Sequence, residues 1–435
     1  MTPAFSTSIY ELLTNEEDAR ACTDIADEAC RATPRNFALI LFTYFLTKLG
    51  DAIANPKTVL PWILANANAP AALIGFLVPV RESGSLIPQL LIAGWVRKHP
   101  VRKWIWVIGA VGQALAVIGM GLVALGLTGA VAGWAVIGLL VVFSLARGLC
   151  SVASKDVLGK TVPKGRRGQL TGWSASAAGL VTLGVGAMLL LPGTNSQEPA
   201  FLGVFIACAG ILWLAAAGIY ALIKEFPGET AGGKNAITEA LERLRILADD
   251  TPFRRFVISR SLLLCSALSA PFYVLLARES SGSASSILGL LVISTGLASL
   301  LSAPLWGRFA DRSSRRVMII AGGASAGIGL LVFLADRFLP ALLATSAFIP
   351  LAYFALSVAH GGVRVGRKTY VVDLAAGNRR TDYVAVSNTI IGIVLLLAGA
   401  TGALTTVIDT GGVILVLSLM GLAGSVLASR LPELR

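Results

Sequence analysis

The sequence is poor in the side chains that most often hold metals or carry out covalent chemistry, with two histidines and five cysteines in 435 residues. Two histidines are too few for a zinc centre, and Cys22, Cys30, Cys150, Cys208 and Cys265 stand without ligand spacing. No metal is expected, and the cysteines read as free thiols with no disulfide. No glycine-rich phosphate loop or nucleotide-binding motif marks an ATP-driven pump. A nucleophile placed beside a base is also missing, so neither enzyme activity nor a cofactor is expected. A channel would need a continuous polar lining, whereas the polar stripes here are short. A cleavable leader has no apolar core to use, because Glu16, Glu17, Asp18, Asp24, Asp27 and Glu28 fill that region. Residues 1–36 read instead as an acidic cytoplasmic arm, partly helical from a cap at Asn15.

Charge is scarce as well, at 14% of residues against 55% hydrophobic, and the mean hydropathy is +0.76. Such a chain belongs in a bilayer. A spanning helix needs about 20 mostly apolar residues to cross about 30 Å of hydrocarbon. Windows of that kind recur between Phe37 and Ser429, about twelve in all. Lipid satisfies no backbone polar group, so runs of this length are helical. The expected fold is all-α, about twelve transmembrane helices in two pseudo-symmetric six-helix bundles. The bundles occupy residues 37–224 and 253–435. A cytoplasmic linker, 225–252, joins them, and Ile237, Leu241, Leu244 and Leu247 give it the spacing of an amphipathic surface helix.

The net charge of +12 would suit nucleic acid, but its placement argues otherwise. Arg97, Lys98, Arg102 and Lys103 follow the second window; Lys160, Lys164, Arg166 and Arg167 follow the fourth. The loops after the sixth, eighth and tenth are basic too, while the opposite loops hold little beyond Arg278 and Arg337. The positive-inside rule then puts both termini and the basic loops in the cytoplasm of a multi-pass inner-membrane protein. Its partners are expected to be a small-molecule substrate, protons as coupling ion and membrane lipids, with no nucleic acid and a monomeric state.

Two loops look alike. Gly94-Trp-Val-Arg-Lys-His-Pro-Val-Arg-Lys103 and Gly307-Arg-Phe-Ala-Asp-Arg-Ser-Ser-Arg-Arg316 begin 307 − 94 = 213 residues apart. The same offset aligns Ser144, Ala146, Gly148 and Lys155 with Ser357, Ala359, Gly361 and Lys368. A parallel duplication relates the halves by an axis along the membrane normal and places a substrate site between them.

The Gly307 to Arg316 stretch resembles the loop signature of the major facilitator superfamily: a glycine, an Asp-Arg pair, then a basic pair. The resemblance implies that family's fold from about Phe37 onward and an alternating-access transport cycle. It implies a gating role for Gly307, Asp311, Arg312, Arg315 and Arg316, and for Gly94 in the first copy. That copy departs from the pattern, with Lys98 at the place of the Asp and His99 at that of the Arg. Leu145-Ala-Arg147-Gly-Leu partly matches the fourth-span arginine motif. Gly179, Gly184 and Gly186 stand where proton-driven exporters of the family carry a Gly-Pro signature, but the proline is missing; close helix packing is the plainer use for them. The family leans toward proton-coupled efflux of small organic molecules. Proton-coupled uptake of an organic anion or zwitterion is the alternative, and a lipid-handling or sensor role stays open.

Ionisable side chains at mid-membrane persist where they face a cavity or a partner. Tyr44, Lys48, Asp51 and Asn55 are spaced 4, 3 and 4 apart and share one helix face, which Pro56 and Pro61 then interrupt. Arg81 and Glu82 lie at about the same depth in the second window, with Ser85 and Gln89 continuing from Glu82. Ser144, Arg147 and Ser151 share a face of the fourth window, as do Tyr353, Ser357, His360 and Arg364 of the tenth; Arg147 and His360 are repeat mates. Asp51 is the candidate coupling carboxylate, with Glu82 its rival. The expected pocket adds Tyr44, Asn55, Arg81, Ser85, Gln89, Arg147, Tyr353, His360 and Asn388. Structural alternatives accompany these roles: Arg81 paired with Glu82, Arg147 as packing glue, and His360 as a hydrogen-bonded core histidine. Lys48 and Lys57 are expected to extend toward opposite membrane faces.

Overall fold

The computed structural model describes Tyr10 and residues 27–191, 198–228, 230, 245–281, 286–374 and 379–434. Most of the acidic arm and the linker helix expected around Ile237, Leu241 and Leu244 fall outside them. Tyr10 of the arm is buried edge-on against Phe37, with ring centroids 5.3 Å apart.

The described residues are helical, with no strand among them. In chain order the helices are α1 (Asp27–Ile53), α2 (Val59–Asn66), α3 (Ala71–Gly75), α4 (Leu77–Leu86), α5 (Gln89–Val96), α6 (Lys103–Gly126), α7 (Gly129–Thr161), α8 (Lys164–Met188) and α9 (Pro199–Ala221). After the linker come α10 (Ile246–Asp249), α11 (Thr251–Leu262), α12 (Cys265–Leu268), α13 (Ala270–Ser281), α14 (Ser286–Ala310), α15 (Ser314–Phe338), α16 (Pro340–Leu343), α17 (Phe348–Leu374), α18 (Arg379–Ala398) and α19 (Thr405–Ser429). A 3-10 turn, Gly399–Leu404, joins the last two.

Nine helical runs among the described residues are long and apolar enough to cross a membrane, fewer than the twelve apolar windows. One of the three missing runs is α8 in the fifth window, which is long enough but too rich in Gly, Ser and Thr to count among the apolar nine, and the other two have structural causes. The second window breaks into α3, α4 and α5, each too short to span alone. The last two windows merge into one run, 386–429, around a kink where Asp409 takes φ +59° and its carboxylate accepts the Gly412 amide at 2.7 Å. Large apolar side chains such as Leu397 and Val407 are 72% and 79% exposed, as expected of a lipid-facing belt.

The helices pack as two sets. In the first, α6 packs on α7 and α9, and α4 on α7; in the second, α15 packs on α17 and α19, and α14 on α17. The first helix of each set breaks near the same repeat position: α1 stops at Ile53, and the second set breaks at Leu263–Leu264 and at Ser269, the repeat mate of Pro56. After α1 the Asn55 side chain accepts the Lys57 amide at 2.8 Å, occupying a backbone donor freed by the break.

The sets close on each other at the end away from the basic loops. A Cβ added to Gly75 would stand 2.6 Å from the Gly402 Cα, and one on Gly186 would stand 2.8 Å from the Ile293 amide. Arg278 donates to the Ala65 carbonyl, joining α13 to α2. Across the divide α4 packs on α18 and α8 on α14, while α5 packs on α7 of its own set.

Candidate functional site

Tyr44, Lys48 and Asp51 of the stripe lie on α1 and line one cavity, where Asp51 meets α4 and α7, while Asn55 lies past the helix end and lines another. Arg147 Nη1 lies 2.6 Å from Asp51 Oδ1, and Arg81 Nη2 lies 3.2 Å from the same oxygen. One carboxylate therefore holds two guanidiniums from two other helices. Arg81 does not pair with Glu82; its guanidinium stacks on the Phe143 ring at 4.7 Å while reaching Asp51. Asp51 and Arg147 line a cavity of about 240 Å³ with Tyr44, Lys48, Gln113 and Ser151.

A second cavity of about 190 Å³ lies against the other set, lined among others by Asn55, Lys57, Ser266, Tyr353, His360 and Arg364. Here the expectation for Lys57 is corrected. It does not extend to a membrane face: its Nζ stands 3.0 Å from His360 Nε2, in the other set. The break after Ile53 turns the chain inward at this point, so Lys57 leaves no helix surface along which to extend. An ammonium has only donors, so Nε2 accepts and the imidazole is neutral, with its proton on Nδ1. Nδ1 donates to Ser266 Oγ at 3.1 Å, and that hydroxyl donates in turn to the Leu263 carbonyl at 3.1 Å. Tyr353 Oη donates to the Lys57 carbonyl at 2.9 Å. Two of the interactions that join the sets at mid-depth thus converge on Lys57.

Other expected pocket members lie elsewhere. Ser85 Oγ is turned back on its own helix, 2.9 Å from the Glu82 carbonyl, and neither it nor Gln89 lines either cavity. Asn388 Oδ1 accepts from Arg260 Nη2 at 2.9 Å, while Arg260 Nη1 reaches Ser387. That buried contact removes Asn388 from the pocket. Glu82 stands in the field of Lys57, Arg81, Arg364 and Arg367. In the fifth window Gly179 and Gly186 abut Leu300 and Ile293 of α14, while Gly184 faces open space.

At the basic-loop end, Arg102 pairs with Asp156, and Lys160 reaches both Asp156 (2.8 Å) and Glu225 (3.1 Å). Glu225 also accepts the Arg102 and Lys103 amides at 2.7–3.0 Å. Arg315, the repeat mate of Arg102, pairs with Glu433 and donates to the Leu431 carbonyl at 2.8 Å. Ser313 donates to the same Glu433 and holds its carboxyl below the usual glutamate range, with Arg315 adding to the effect. Asp311, Arg312 and Arg316 are exposed, Gly307 faces open space, and Gly94 is half-buried. The acids Asp156, Glu225 and Glu433 were not among the expected gating residues; each is a lone acid in or beside a basic segment, a signal visible in the sequence. Cys150, Cys208 and Cys265 are free thiols, but Cys30 is disulfide-bonded, against expectation. Its partner lies outside the described residues.

Residues 256–434 match the family model of the Major Facilitator Superfamily. Among solved structures, the chain is similar to a POT family transporter in complex with 5-aminolevulinic acid, at 10% identity and TM-score 0.70, covering 90% of this chain and 95% of that one. The nucleoside transporter NupG is similar at 14% identity and TM-score 0.63, with 90% and 98% covered. The inward-open xylose transporter XylE from E. coli is similar at 16% identity and TM-score 0.62, with 94% and 96% covered. Among curated proteins no significant match is found.

Proposed function

We propose that this major facilitator superfamily protein is a proton-coupled secondary transporter that moves a small organic solute by alternating access, with efflux as its working direction. The observation that carries the reading is Asp51, one carboxylate shared by Arg81 and Arg147 at the edge of a mid-depth cavity. In general a carboxylate binds a proton more readily once the cations beside it are withdrawn. A conformational change that moves α4 or α7 away from α1 therefore changes proton binding, and a carrier couples to protons only if its two states differ in this way. Basic loops in the cytoplasm of an inner membrane would make the present arrangement the inward-facing state, with both termini cytoplasmic. Proton-coupled uptake of an organic anion is the second reading, favoured by the number of cations at the centre.

The test is flux in proteoliposomes under an imposed pH gradient. Asp51→Asn keeps the shape and removes the charge, so it is expected to abolish gradient-driven movement while the protein still inserts, with a lower melting temperature because Arg81 and Arg147 lose their shared carboxylate. Gradient-driven flux at the unmodified rate in that variant would remove Asp51 from coupling.

A further inference from the structure

Cations outnumber carboxylates at the centre of the molecule. Asp51 and Glu82 stand among Lys48, Lys57, Arg81, Arg147, Arg364 and Arg367, two acids against six bases in one electrostatic network. Asp51 is committed to Arg81 and Arg147. Among the described residues, no carboxylate lies within ion-pair distance of Lys57, Arg364 or Arg367, and the buried Nε of Arg367 has no hydrogen-bond partner. Arg364 is exposed where it lines the 190 Å³ cavity, although it sits well inside the spanning helix α17. His360 is neutral by its hydrogen bonds, so the charged groups that line this cavity are the two cations Lys57 and Arg364, with no acid in the lining. Excess charge of one sign is costly within a membrane and persists where a mobile counter-charge relieves it.

We propose that this cavity is the binding subsite for a small organic dianion, a dicarboxylate or a phosphate ester, with Arg364 and Lys57 as its charged contacts. The proposal rests on the carrier reading and deepens it by naming the substrate class. Arg364 presents a planar fork suited to two oxygens of a carboxylate or phosphate. Lys57 has three donors, and His360 takes one, leaving others for the ligand. Ser357 and Asn55 add neutral polar groups to the lining. Because Lys57 belongs to the first helix set and Arg364 to the second, an anion held by both would bridge the sets. It would compete with His360 for the Lys57 ammonium. Ligand binding would then change a contact that already joins the two sets, which is how a substrate can bias a two-state carrier.

The experiment is a thermal-shift titration of the full-length protein in lipid nanodiscs. The probes are succinate and glycerol 3-phosphate, with succinamide and glycerol as neutral counterparts, at ionic strength matched with sodium chloride. A ligand of the folded state raises the melting temperature saturably. At least one anion is expected to do so and neither neutral compound; which anion acts separates the carboxylate from the phosphate ester. Arg364→Gln is expected to weaken the apparent affinity roughly tenfold or more, and Arg364→Lys less, since it keeps the charge and loses the fork. The absence of a saturable shift with both anions, or an equal shift in Arg364→Gln, would overturn the subsite. The Asp51→Asn protein separates the two readings: its gradient-driven flux is expected to vanish while its anion shift persists. Undiminished gradient-driven flux in Asp51→Asn with the anion shift intact would sink the coupling reading alone, and a wild-type protein with no anion shift but normal gradient-driven flux would sink the subsite alone.

Discussion

The two cavities at the centre of the molecule are built from the same kinds of residue and are balanced differently. On the side of the first helix set, a carboxylate sits between two guanidiniums, and the positive charge there has a fixed internal counterpart. On the side of the second set, a lysine meets a neutral histidine and an arginine faces the cavity with no carboxylate at hand among the described residues. A group whose partners are fixed can register a proton. A group without a partner can register a ligand. The duplicated architecture would thereby divide coupling from recognition, although Arg147 and His360 occupy equivalent repeat positions.

That division can be broken by exchanging charges across it. The largest effect is expected from Asp51→Asn, which should reduce gradient-driven flux to the level of protein-free vesicles. Next is Arg147→Ala: it leaves Asp51 with Arg81 alone, and the lost charge-assisted bond should cost about 1.5–3 kcal/mol of stability, read by denaturant or thermal unfolding in detergent. If Arg364→Ala destabilised the protein as much as Arg147→Ala, the contrast between a fixed and an open charge would collapse. Gly75→Val should be intermediate. It forces a side chain into the Gly402 backbone, costing about 1–3 kcal/mol and prising open the far end, which cysteine labelling near Phe76 would detect.

The smallest effects concern the two clasps at the basic-loop end. Glu225→Gln should destabilise more than Glu433→Gln, because the Glu225 side chain is fully buried and that of Glu433 is 36% exposed. For Glu433 an exposed-pair magnitude of about 0.2–1 kcal/mol applies. Its folded-state pKa is depressed, so its stabilisation is complete above the ordinary glutamate value of about 4.3 and is lost as pH falls through the lowered value. Melting curves of wild type and Glu433→Gln should therefore draw together as pH falls below the ordinary glutamate range.

Part of this site is legible in the sequence, for an identifiable reason. Tyr44, Lys48 and Asp51 keep helical period within one unbroken helix, and period fixes a common face. Lys57 follows Pro56 in a non-helical segment, where period carries no information, so its turn toward His360 was not foreseeable from spacing. Asn388 and Ser387 lie at helical positions too, yet spacing cannot say which neighbour a face will meet, and Arg260 takes both. The long apolar helices follow from composition, whereas the breaks within the second window and the merging of the last two depend on packing between the sets. The clasp acids are single residues far along the chain from the arginines they hold, a relation that only the folded chain reveals.

The seam where Gly75 meets Gly402 and Gly186 meets Ile293 relies on backbone proximity rather than on charge. Contacts of this kind are dispersive and short-ranged, so mobile ions do not screen them. Parting the molecule on that face should thus be nearly indifferent to salt and sensitive to lateral pressure from the surrounding lipid, whereas rearrangement of the arginine-rich face should respond to ionic strength. The two ends of the molecule would answer to different features of their surroundings.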